Sequence, residues 1–133
     1  MTRTAPRRLL ALLLAFACGP LALAESSMER LTVHRDLTYA AHARGTLDVY
    51  VPDGADGAPV VLFVHGGALL FGDKSLVAHV GLRLAREGVI TVAVNHRFSP
   101  DVSHPEHVRD VAAATRWVVD EIAAHGGDPA RLV

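Results

Sequence analysis

The spacing of hydrophobic and polar positions changes several times along the chain, and each change marks an element. Residues 25–35 are polar and mixed, a lead-in followed by an edge strand. Thr46-Leu47-Asp48-Val49-Tyr50-Val51 alternates apolar residues with others at period two, which predicts a half-exposed strand. Residues 52–59 hold two prolines, two glycines and two aspartates and read as a turn. Val60-Val61-Leu62-Phe63-Val64 is an unbroken apolar run rich in β-branched residues, the pattern of a strand covered on both faces. After a loop from His65 to Asp73, Leu76, Val80 and Leu84, joined by Val77, predict one face of a helix over Ser75 to Glu87, stopped by Gly88.

Val89 to Val94 is a second buried strand. Ser103-His104-Pro105-Glu106 offers a capping box with proline in the first turn. The helix it starts carries Val108, Val111, Thr115, Val118 and Ile122 on one stripe, with Trp117 as core or helix-packing surface, and Gly126-Gly127 ends it. Arg131-Leu132-Val133 is the onset of another strand. Strands alternating with helices in this way predict an α/β domain, doubly wound around a mostly parallel sheet with an antiparallel N-terminal edge. The last strand breaks off as it begins, so the chain reads as the N-terminal half of such a domain.

Residues 1–24 stand apart. Arg3, Arg7 and Arg8 form a basic n-region, Leu9 to Phe16 is an unbroken apolar run, and Ala22-Leu23-Ala24 is a small-x-small cleavage site. This is the pattern of a signal peptide cleaved after Ala24, leaving residues 25–133 as the mature part and an exported protein in the periplasm or outside the cell. The run is too short to span a membrane, so no stable membrane anchor is expected. Arg7-Arg8 as a twin-arginine signal and Cys18 as a lipoprotein acceptor fit their surroundings less well. Removing the three arginines takes the formal charge from −1 to −4 and, with Cys18, removes the only cysteine. The mature part therefore has no disulfide and no basic surface for nucleic acid.

The chemistry concentrates in His65-Gly66-Gly67-Ala68, at the end of the apolar strand, and in the loop that continues to Gly72-Asp73-Lys74-Ser75. Glycines at a strand's C-terminal end let the backbone bend until N–H groups point into the crevice there. Such N–H groups can stabilise the oxyanion of acyl transfer. The segment resembles the His-Gly-Gly motif of the α/β-hydrolase esterases and lipases related to hormone-sensitive lipase and to acetyl-esterase-like carboxylesterases. Asn95-His96-Arg97-Phe98-Ser99-Pro100 is similar to that group's Asn-Tyr-Arg-Leu-Ala/Ser-Pro segment, and Pro105 to Trp117, with Asp110, to its following helix. Gly127 to Val133 is similar to its approach to the nucleophile strand, so the likeness covers residues 45–133.

That resemblance implies a serine-type carboxylic ester hydrolase acting on a small ester through an acyl-enzyme, with no metal and no organic cofactor. It implies oxyanion donors from Gly67 and Ala68, with Gly66 allowing the bend, and support from His65, Asp73, Arg97 and Asp110. Ala68 and Leu69 stand where many relatives have glycine or tryptophan, and His96 and Phe98 replace tyrosine and leucine. None of the five serines in the chain lies in a Gly-x-Ser-x-Gly elbow, so the triad is expected outside these 133 residues. The alternative is a non-catalytic remnant or binding module that keeps the fold.

Other readings of the same residues weigh less. Gly67 and Gly72 followed by Lys74-Ser75 approach a phosphate-binding loop, but Asp73 places a negative charge where phosphate belongs. Asp73 and Ser75 read better as helix-start residues and Lys74 as a solvated charge. His104 and His107, three apart, could be metal ligands, but two surface histidines are the simpler reading. Arg97 and Asp110 either pair internally or are solvated separately.

Overall fold

The computed structural model describes residues 30–133. The export-signal reading, residues 1–24, lies outside them. Among the described residues five strands form one sheet in the order β1-β2-β4-β3-β5. The strands are β1 (Leu31–Thr38), β2 (Thr46–Pro52), β3 (Ala58–Val64), β4 (Ile90–Val94) and β5 (Gly127–Leu132). Helix α1 (Ala78–Arg86) connects β3 to β4, and α2 (Glu106–Glu121) leads from β4 towards β5. The sheet is mixed: β3 runs parallel to β4 and β5, whereas β1–β2 and β2–β4 are antiparallel, which puts the antiparallel edge at the N-terminal side.

Alternation along the strands sends their side chains to two separate cores. Leu47 and Val49 of β2, Val60 of β3 and Ile90, Val92 and Val94 of β4 meet Ala114, Val118 and Ile122 of α2 and the turn after it. On the opposite face Tyr50 and Ala93 meet Val77 and Ala85, with Ala78 and Leu82 beside them. The sheet thus has a helix on each face, and all of β4 is buried.

The pattern-based boundaries hold for most elements, and the departures have identifiable causes. β2 is not half-exposed: Leu47, Asp48, Val49 and Tyr50 are all buried, because α1 and α2 cover its two faces. Its polar position, Asp48, alternates for the sake of a buried cation rather than for water. β3, expected to be covered on both faces, leaves Val64 37% exposed and Val61 and Phe63 half-buried, since α1 lies over β1, β2 and β4 instead.

The helix faces also differ from the expected stripes. Residues Lys74–Val77 form a 3-10 turn before α1, so Leu76 points to solvent at 60% exposure. The buried residues of α1 are the small ones, Gly81 and Ala85. A Cβ on Gly81 would lie 2.5 Å from the Tyr50 ring, so the glycine sets how closely helix and sheet approach. In α2 the buried line is His107, Asp110, Ala114 and Val118, while Val108 is exposed. Ser103 forms no capping box; the Glu106 carboxylate accepts from Arg97 and Arg109 instead.

Both helix ends are as expected. Gly88, at φ +80°, follows α1; its N–H bonds to Ala85 and that of Val89 to Leu84, a Schellman arrangement. Gly126 takes the same conformation before β5. β5 begins at Gly127, earlier than its apolar residues suggest, with Asp128 accepting from the Ala130 N–H across its first residues.

Gly81→Ala should therefore destabilise the fold by about 2 kcal/mol, because the added methyl group overpacks a ring that has no room to move. Urea unfolding at neutral pH measures it; an unchanged midpoint and slope would refute the close-approach account.

Candidate active site

The loop between β3 and the 3-10 turn is tightly wound. Gly67 (φ +133°), Ala68 (φ +53°), Leu69 (φ +63°) and Gly72 (φ +121°) all lie in the left-handed region. For alanine and leucine this conformation costs about 1–2 kcal/mol each and must be enforced by surrounding contacts. The Gly67 carbonyl accepts from the N–H groups of Leu70 at 2.9 Å and Phe71 at 3.2 Å. A Cβ on Gly67 would fall 1.8 Å from the Phe71 carbonyl oxygen, and one on Gly72 would strike the His65 ring and the Gly66 carbonyl. Only glycine closes the loop at these two points.

His65 is 4% exposed, and its Nδ1 lies 2.7 Å from the Gly66 carbonyl oxygen. His96 stacks on its ring at 4.7 Å. Burial is the main influence that holds the His65 imidazole below its ordinary pKa, with His96 and Arg44 acting in the same direction against the Gly66 carbonyl and Asp73. The ring is therefore neutral at pH 7 and can donate from one nitrogen only. With Nδ1 donating to Gly66, Nε2 is left to accept.

These contacts orient two consecutive peptide groups. The Gly66 carbonyl shares a peptide with the Gly67 N–H, and the Gly67 carbonyl shares one with the Ala68 N–H. In a trans peptide the two polar bonds point in opposite directions. Holding the carbonyls inward, on His65 and on the Leu70 and Phe71 N–H groups, turns the Gly67 and Ala68 N–H groups away from the loop's own acceptors. Among the described residues, no hydrogen bond uses either N–H.

The far end of the loop is fixed by Asp73 and Lys74. Asp73 caps the 3-10 turn by accepting from the Ser75 N–H at 2.9 Å, as a helix-start residue should. Burial pushes its carboxyl up, but bonds from Ser75 and Asn95 and the charge of Lys74 together outweigh burial and hold it at about 2. Lys74 is not solvated. It is 7% exposed, and its Nζ reaches Asp48 at 2.5 Å and Asp36 at 2.7 Å. A lysine so engaged is not available to a phosphate, which removes the phosphate-loop reading.

After β4, Arg97 and Asp110 form an internal pair. The Arg97 N–H donates to Asp110 at 2.9 Å and its guanidinium at 2.6 Å, tying the strand's exit to α2. His104 and His107 do not come together as a metal pair: His104 is exposed, whereas His107 is buried with Nε2 3.3 Å from the Ser99 hydroxyl. Among the described residues no group of three metal-ligating side chains is assembled. Trp117 is half-buried against the α2 core.

This strand, loop and helix order agrees with known proteins. The BD-FAE family model matches residues 47–133. The chain belongs to the BD-FAE family. It is 39% identical over 101 residues to the Arabidopsis thaliana protein "Probable isoprenylcysteine alpha-carbonyl methylesterase ICMEL2", covering 75% of this chain and 24% of that protein. It is 38% identical over 99 residues to "Probable carboxylic ester hydrolase LipM" of Mycobacterium tuberculosis, covering 71% of this chain and 23% of that one. Esterase B from Lactobacillus Rhamnosis (HN001) superposes with a TM-score of 0.69 at 26% identity, over 74% of this chain and 32% of its own. The chain thus spans about a quarter of the length of these curated relatives. It carries the N-terminal part of an α/β-hydrolase fold of the esterase group that resembles hormone-sensitive lipase.

In this BD-FAE chain three residues outside the expected site set, Asn95, Tyr39 and Arg44, organise the site. Asn95, 6% exposed, accepts from the Lys74 N–H at 2.7 Å and donates to Asp73 at 2.9 Å. Tyr39 donates its hydroxyl to the Asn95 carbonyl at 2.6 Å. Arg44 lies beneath the loop and donates to the carbonyls of Gly72 and His96. Asn95 was visible as the first residue of the Asn-His-Arg segment. The other two, Tyr39 and Arg44, lie before residue 47 and belong to no motif.

Lys74→Met should cost about 3 kcal/mol, the penalty of leaving the buried Asp48 carboxylate with only the exposed Arg35 guanidinium at 3.4 Å. Burial lowers the Lys74 pKa, but its hydrogen bonds to Asp36 and Asp48 and their charges outweigh it and raise the net value. A raised lysine pKa contributes stability that is fully present below its unfolded value of 10.5 and is lost only as pH rises through the folded value. Urea unfolding of wild type and variant should therefore differ equally at pH 6 and pH 8. A difference that vanished in that range would contradict the pair.

Proposed function

We propose that the whole protein is an exported serine-type carboxylic ester hydrolase acting on small esters, with the Gly67 and Ala68 N–H groups among its oxyanion donors. The observation that carries this reading is the pair of consecutive peptides at the end of β3, each held by its carbonyl and free at its N–H. Membership of a family whose relatives include carboxylic ester hydrolases supports it.

In the reaction a serine hydroxyl attacks the ester carbonyl while a histidine accepts its proton. The carbonyl oxygen becomes an oxyanion in reach of the two N–H groups. The tetrahedral intermediate expels the alcohol, which takes the proton back from the histidine. Water, deprotonated in the same way, then releases the acid and restores the serine. The triad belongs to the part of the protein beyond Val133, while this part supplies the oxyanion donors. N–H groups fixed before the reaction stabilise the oxyanion without having to reorganise. Leu69, Leu70 and Phe71, exposed beside those donors, provide apolar surface for the acyl group.

The 133 residues by themselves should hydrolyse no p-nitrophenyl acetate, whereas the whole protein should. In the whole protein, Gly67→Ala should lower kcat about 100-fold, since φ +133° is denied to alanine and the donor turns away. Ala68→Gly, which keeps its N–H, should stay within about threefold. Hydrolysis by the 133-residue chain that is lost in Gly67→Pro would overturn the assignment of the triad. No turnover by the whole protein would favour a non-catalytic binding module.

Export rests on the n-region, apolar run and Ala22-Leu23-Ala24 site. Expressed in a bacterium, the whole protein should be recovered from the periplasm or medium with Glu25 as its first residue. An uncleaved cytosolic product would count against it.

A further inference from the structure

We infer that Arg44 is a positioning residue for the oxyanion donors, acting through His65 and Gly72 from a segment that precedes the BD-FAE match. The inference rests on the oxyanion reading of Gly67 and Ala68.

Arg44 stands in the turn between β1 and β2, held there by a Tyr39 N–H to Gly45 carbonyl bond of 2.9 Å. Gly45 has no room for a side chain, because a Cβ would lie 2.2 Å from the Ala40 carbonyl oxygen. From this turn the guanidinium spreads over several partners. Its Nε donates to the His96 carbonyl at 2.6 Å, and its Nη2 to the Gly72 carbonyl at 3.0 Å and to Asn95 Oδ1 at 3.1 Å. The same Nη2 lies 3.4 Å from His65 Nε2, and the guanidinium carbon sits 3.9 Å above the Phe98 ring. One side chain therefore touches both the first residue of the loop and the residue that closes it.

The contact with His65 has a chemical consequence. A guanidinium offers only donors, so the imidazole nitrogen facing it must present a lone pair. The ring proton then resides on Nδ1, where it donates to the Gly66 carbonyl at 2.7 Å. That carbonyl fixes the plane of the peptide whose other end is the Gly67 N–H. Arg44 thus selects the tautomer, the tautomer holds the peptide, and the peptide aims the donor. The Gly72 bond adds to this by keeping the loop's end against the His65 ring. Lysine cannot replace Arg44, because a single ammonium lacks the planar fork that spans these acceptors while stacking on an aromatic face.

The experiment uses the whole protein with p-nitrophenyl acetate and compares Arg44→Met, Arg44→Lys, Gly67→Ala and the double variant Arg44→Met/Gly67→Ala. Arg44→Met should lower kcat about 30-fold and leave KM within about threefold, as expected for a misplaced group that still permits substrate binding. Arg44→Lys should not restore it. In the Gly67→Ala background the Arg44→Met effect should shrink to less than about threefold, because the donor it aims is already displaced. Histidine nitrogen NMR of the wild type, with His65 assigned by its Gln variant, should show the proton on Nδ1, and this reading survives even if an Arg44 variant fails to fold. An Nε2-protonated His65 would overturn the inference, as would full kcat in Arg44→Met or an Arg44→Met effect undiminished in the double variant. If Gly67→Ala itself leaves kcat unchanged, the oxyanion reading fails instead.

Discussion

The Lys74–Asp48 ion pair is the interaction on which the rest of the site depends. An ammonium buried between sheet and helix is tolerated only with a carboxylate beside it, and Asp48 is as deeply buried as its partner. Because Lys74 directly follows Gly72 and Asp73, the pair anchors the end of the loop to the middle of β2. Its second bond, to Asp36 at a bulge of β1, reaches the sheet's edge. Its backbone N–H, taken by Asn95, reaches the exit of β4. One residue thus joins parts of the chain that are remote in sequence, and the contact between Gly72 and His65 follows from where it stands.

Much of this architecture could be read from hydrophobic spacing, because β4, the turn at residues 53–57 and the glycine helix stops depend on local rules. The site loop was legible for the same reason: glycines at a strand's C-terminal end are few, and their purpose is conformational. What could not be read was whatever depends on a distant partner. Asp48 occupies the polar position of an alternating strand, a pattern that by itself implies solvent, yet it is buried against Lys74. A lysine in a polar loop implies a solvated charge for the converse reason, since nothing near it in sequence reveals Asp48. Gly81 and Ala85 define the buried face of α1 by being small, so a search for large apolar residues passes them over. Arg44 and Tyr39 sit outside any motif and act on a loop far along the chain.

Two kinds of restraint meet in that loop. Left-handed alanine and leucine are strained, and nothing within residues 68–69 compensates them. The compensation comes from neighbours: the Leu69 carbonyl accepts from the Ser99 N–H at 2.8 Å, and the Gly67 carbonyl takes two N–H groups. The exits of β3 and β4 are therefore mutually dependent. Arg97 and Asp110, which fix the second exit on α2, bear on the first through Ser99.

The carbonyl bonds to Gly66 and Gly67 also alter the electronic character of those peptides. A peptide oxygen that accepts a hydrogen bond draws charge from its nitrogen, and the N–H at the other end becomes more acidic and a stronger donor. The loop's internal hydrogen bonds therefore act on charge as well as on direction. Each carbonyl that His65, Leu70 or Phe71 engages makes the opposite N–H more positive, in addition to whatever field the Arg44 guanidinium beneath the loop supplies.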